Sequence, residues 1–67
     1  MYEDKQLICD LLLQALQRTS ALYDLLALEY DPSSETVTAT FPAGRKIVNV
    51  NMDSGVAMIR DIMKHIV

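Results

Sequence analysis

The sequence predicts a small α+β unit with the element order α-β-β-α. Three observations carry that class. Gln6–Leu28 contains no Gly and no Pro and repeats its apolar residues at helical spacing. Glu35–Phe41, E-T-V-T-A-T-F, alternates strictly and is rich in β-branched residues, the pattern of a half-buried strand. Gly55–Ile66 returns to helical spacing, with Met58, Ile59, Ile62 and Ile66 on one face.

The first helix is expected to extend over about residues 3–30. Asp4 is a candidate N-cap, and its charge and that of Glu3 suit the positive end of the helix dipole. Glu3, Asp10, Gln17, Asp24 and Asp31 recur every seventh residue. On a helix they drift only about 20° per step and form one polar stripe. Opposite lie Ile8, Leu12, Ala15, Thr19, Leu22 and Leu26, flanked by Cys9, Leu11, Leu16, Tyr23, Leu25 and Tyr30. That sector exceeds the ~100° of an ordinary amphipathic helix. At 1.5 Å per residue the run would be roughly 38 Å long. The elements that follow are on the order of 20 Å each and cannot cover it. Either a second chain covers the remainder or the helix folds back at Arg18-Thr19-Ser20. Ser or Thr there could cap a new segment, but no Glu or Gln stands three residues on to complete a capping box. A continuous helix is the expectation.

Asp31-Pro32 ends that helix, because Pro cannot extend it and disfavours helical geometry in the residue before. The turn it opens is too short to separate two domains. A hairpin over about residues 35–52 follows. Val37, Ala39 and Phe41 face one way and Thr36, Thr38 and Thr40 the other. Pro42-Ala43-Gly44-Arg45 makes the turn and Lys46–Met52 the second strand. A four-residue loop, pairing Phe41 with Lys46, Ala39 with Val48 and Val37 with Val50, keeps the small apolar residues on one face. Asp53 or Ser54 caps the last helix, about residues 54–66.

The chain has 67 residues, which bounds it to a single domain spanning 1–67. Such a domain buries only about 60% of its unfolded surface, yet 51% of the residues are apolar, which favours an oligomer. The formal net charge of −3 makes a nucleic-acid backbone a poor partner. One cysteine, Cys9, cannot form an internal disulfide, and with no basic, apolar leader at the N-terminus a reducing, cytoplasmic setting is expected. Charges interrupt every apolar run before the ~18 residues that a membrane-spanning helix needs.

Candidate chemistry is thin. Asp61 and His65 share a helix face, but two ligands fall short of the about four that a structural metal site needs. A cation near a helix C-terminus explains His65 better. Cys9 reads as a packed thiol. Asp10 and Asp24 would lie about 21 Å apart on one helix, too far to share a proton. No phosphate loop, metal cluster or nucleophile–base pair is present. No catalytic residue, metal ligand or cofactor is therefore assigned.

The expected interface is the apolar face of the first helix: Ile8, Leu12, Ala15, Leu16, Thr19, Leu22, Tyr23, Leu26 and Tyr30. Arg45 and Lys46 at the hairpin tip are a secondary contact. The functional expectation is a non-enzymatic module, homodimeric, that binds and modulates another macromolecule. An inhibitor or accessory protein of a phage or mobile element would be of that kind. Two alternatives stand beside it. One is a small-ligand binder with an interfacial pocket lined by Tyr23, Tyr30 and Met side chains. The other is an acidic mimic, presenting the Glu3–Asp31 stripe to a nucleic-acid-binding protein.

Overall fold

The computed structural model describes residues 4–67. The start of the predicted first helix, and Glu3 of its polar stripe, lie outside them. The described order is α1 (Lys5–Leu16), β1 (Ala27–Asp31), β2 (Thr36–Phe41), β3 (Gly44–Asn49) and α2 (Gly55–Ile66). The class is α+β, with a third strand in the place of the second half of the expected long helix. The sheet is antiparallel in the order β1-β2-β3. α1 packs over β1 and α2 over β3, and the two helices touch.

Asp4 caps α1 as expected, its carboxylate accepting from the Leu7 N–H at 3.0 Å. The helix then stops at Leu16 rather than near Tyr30. Thr19 closes it. Its hydroxyl donates to the Leu16 carbonyl at 2.7 Å and accepts from the Leu22 N–H at 3.1 Å. The Gln17 amide reaches across the loop to the Leu25 carbonyl at 2.9 Å. No helix resumes before β1. Leu22 and Leu25 turn into the core, and Leu26-Ala27-Leu28-Glu29-Tyr30 continues as an extended, alternating segment. The physical reason is pairing. A lone two-stranded hairpin is only marginally stable. A third strand satisfies the open edge of β2, which local helix propensity cannot do. The described residues measure 33 × 20 × 17 Å, shorter than the continuous helix would have been.

The β1–β2 loop holds Glu35 at φ 53°, a left-handed conformation unusual for a residue with a side chain. The β2–β3 connection is shorter than the expected four residues. Phe41 pairs with Gly44, Ala39 with Lys46 and Val37 with Val48, which leaves only Pro42-Ala43 in the loop. Gly44, at φ 153°, takes the exit of this tight turn. The expected and observed registers differ by two residues, so the strand faces are unchanged. On the outer face Thr38 opposes Ile47, Thr36 opposes Asn49 and Thr40 opposes Arg45.

The core lies between the sheet and both helices. Cys9, Leu25, Val37, Ala39, Val48, Val50, Met58 and Ile62 are buried at its centre. α2 matches its expected limits. Ser54 is its N-cap, accepting from the Ala57 N–H at 3.3 Å, and Met58, Ile62 and Ile66 are buried. Ile59 of the expected face is half exposed instead.

Replacing Thr19 with Ala removes both of its bonds at the helix end. The expected loss is about 1 kcal/mol of stability with unchanged helix content, read from urea unfolding followed by circular dichroism.

Candidate functional site

The predicted interface does not assemble as one face. Leu16 and Leu22 are buried inside the chain's own core, and Ile8, Leu12 and Tyr30 pack against it. Ala15, Thr19, Tyr23 and Leu26 are exposed, but they lie on a helix, a loop and the approach to a strand. The single apolar face existed only if the helix was continuous. The argument for a dimer drawn from that face goes with it. Tyr23 is exposed on the loop while Tyr30 sits under Lys5, its ring centroid 5.6 Å from Nζ, so the two do not line a common pocket. The acidic stripe dissolves in the same way: Asp10 stays on α1, Asp24 is in the loop and Asp31 ends β1.

The exposed apolar side chains gather elsewhere. Leu7 and Leu11, 51% and 58% exposed, stand one turn apart on the outer side of α1. On α2, Val56 and Ile59 are 81% and 37% exposed, and Met63 completes their flank. Ile47, 68% exposed, stands on the outer face of β3. By helical spacing Leu7 falls on the shoulder of the polar stripe, and Val56 and Met63 fall beside the core face of α2. The i, i+4 pair Leu7–Leu11 next to charged positions was the signal for the first group.

The two edges of the sheet differ. Tyr30 N–H on the outer edge of β1 donates to Gln6 Oε1 at 3.0 Å, and Gln6 Nε2 donates in turn to Asp10 at 2.9 Å. α1 thus covers the β1 edge with a side chain. Among the described residues no comparable cover stands on β3. Arg45 and Lys46 follow Gly44 in that strand, exposed, with Lys46 Nζ 5.9 Å from the Phe41 ring centre.

Hollows open on the surface of the described residues. One, of about 450 Å³, lies at the end where the loop, the β2–β3 turn and the C-terminus of α2 meet; Leu22, Phe41 and Ile66 form its apolar part and Asp24, Arg45 and Lys46 its charged rim. Another, about 380 Å³, lies on the outer sheet face between Glu29, Asp31 and Arg45 over Thr38 and Thr40.

Burial first, and the Asp10 charge second, push the Cys9 thiol up to about 11. It is a packed and unreactive cysteine. Asp53 is held above the usual carboxylate range, chiefly by a hydrogen bond shared with Asp61, then by loss of water and by Asp61's charge. Lys5 and Arg60 oppose the shift. Oδ2 of Asp53 is shielded and has no partner among the described residues. His65 Nδ1 lies 2.8 Å from the Asp61 carbonyl rather than on its carboxylate. Among the described residues no group of three or more His, Cys, Asp and Glu side chains is placed to hold a metal. No described helix is long and apolar enough to cross a membrane. Comparison with protein-family models, curated proteins and solved structures gives no match.

Two pH effects follow from these shifts. An acid whose folded pKa is raised stabilises the fold below its ordinary pKa, and this contribution is lost as pH climbs through the folded value. The Cys9 contribution is thus full below pH 9.0 and fades toward pH 11. Urea midpoints of the wild type should fall over that window more steeply than those of Cys9→Ala. Asp53 works in the same sense, starting from the ordinary value of 3.8. Asp53→Asn keeps a donor for Asp61 and removes a like charge. Its urea midpoint at pH 7 should exceed the wild type's, and the gap should close in strong acid.

Proposed function

We propose that this chain is a non-enzymatic interaction module, a small folded platform whose exposed apolar side chains bind another macromolecule. The observation that carries this reading is where those side chains lie. Large apolar groups normally scatter singly over a surface. Here Leu7 pairs with Leu11, and Val56 lines up with Ile59 and Met63, each set at helical spacing. The core beneath is complete without Leu7, Leu11, Val56 and Ile59, while Met63 packs at its margin. A reducing, cytoplasmic setting suits the free, buried Cys9.

Self-association is the simplest form of the reading. A two-fold pairing of α1 with a second α1 would cover Leu7 and Leu11 on both copies, as a closed dimer requires. A small-ligand site is the second reading. It is favoured by the 450 Å³ hollow, whose apolar part and charged rim suit a small amphipathic molecule.

Absolute mass by light scattering over a dilution series tests self-association. The expected outcome is a dimer that dissociates on dilution, and a Leu11→Lys chain that is monomeric throughout. A wild type that stays monomeric at every concentration would leave α1 to a different partner.

A further inference from the structure

The free edge of β3 has a readable hydrogen-bond phase. Val50 N–H donates to the Glu35 carbonyl at 3.0 Å, so the pair 35–50 is a bonded one. Bonded and non-bonded pairs alternate along an antiparallel ladder. In the observed register Val48, Lys46 and Gly44 therefore bond to β2. The N–H and C=O groups of Arg45, Ile47 and Asn49 point the other way, out of the sheet. The same alternation carried across β2 turns the Tyr30 N–H outward on the opposite edge, where Gln6 receives it. One edge is answered by a side chain, and the other offers its backbone groups to a partner.

α2 roofs this edge. Asp61 lies on the flank of α2 that reaches Asp53, which also feels Lys5 of α1. Helical spacing puts Val56, Ile59 and Met63 on the opposite flank, with Met63 partly buried against the core. The edge thus sets a line of outward backbone groups beside an apolar helix flank, and the two together are called the groove below. At its β2–β3 end stand Arg45 and Lys46.

We propose that this groove takes an extended segment of a partner protein as an added antiparallel strand. The segment is apolar at the alternate positions that meet Val56, Ile59 and Met63, and it carries a carboxylate beside Arg45 and Lys46. Strand addition draws its affinity from main-chain bonds and its selectivity from alternate side chains. A second copy of this chain does not fit. Pairing β3 with β3 sets the strands about 5 Å apart, while the helices above them need about 8–10 Å between axes. An extended segment carries no helix and passes under the overhang of α2. The proposal rests on the interaction-module reading and names its site.

The test starts with selection of phage-displayed random peptides of about ten residues on the full chain, the length class of a strand-addition ligand. Selected sequences should alternate apolar residues and carry an acidic end. Binding of a labelled peptide should slow hydrogen exchange at Arg45, Ile47 and Asn49. N-methylation of its alternate amides should weaken binding roughly tenfold or more in one phase and little in the other. Ile47→Pro removes an outward N–H without breaking a bond to β2 and should weaken binding similarly. Should that variant fail to fold, the N-methylated peptides still decide. Arg45→Glu with Lys46→Glu should abolish the acidic preference. Protection appearing on α1 instead would overturn strand addition and leave the module reading standing. Protection at Arg45, Ile47 and Asn49 that grows with protein concentration alone would overturn it in favour of a second copy. No enriched peptide would overturn it as well, with the light-scattering result judging the wider reading separately.

Discussion

The structure depends on the two-sided pairing of β2. Thr36–Phe41 is hydrogen-bonded to β1 on one edge and to β3 on the other. Its inward residues Val37 and Ala39 are fully buried beneath the helices. A chain this short has little apolar area to bury, so unsatisfied backbone in a half-covered sheet would be a large fraction of its stability. Pairing both edges of the central strand removes that cost. It also decides where the helices can sit: α1 over β1 and α2 over β3, both on one face.

That constraint explains why α1 is short. Leu22, Leu25 and Leu26 read as the continuing apolar sector of a helix, and by local propensity they are good helix residues. The same stretch also alternates, with Leu26, Leu28 and Tyr30 at every second position. Two periods overlap in one segment, and local pattern cannot choose between them. The open edge of β2 chooses. Thr19 supplies the local means by closing the helix and holding the Leu22 N–H. The possibility of a break at Arg18-Thr19-Ser20 was legible in the hydroxyl residues. What followed the break was not.

The same contrast runs through the surface. Asp4, Ser54 and the buried face of α2 were legible because caps and helical faces are short-range features. The hairpin faces were legible because alternation has a period of two. The register was not, since a shift of two residues leaves the faces unchanged and only the loop length separates the alternatives. The interface residues expected on one helix were lost when that helix divided. Arg45 and Lys46 stayed at the hairpin tip, now at the entrance of an unpaired edge whose phase depends on the whole ladder.

By itself, the sequence determined that this is an α+β chain with a strongly alternating central strand, a capped C-terminal helix and a packed thiol. Each of these rests on periodicity or capping within a dozen residues. The tertiary structure alone decided that Ala27–Asp31 is a strand, that the β2–β3 loop holds two residues, and that one sheet edge is covered by a side chain while no described residue covers the other. Those outcomes depend on which backbone groups meet across the fold. A long-range hydrogen-bond partner leaves no mark on the local pattern of side chains.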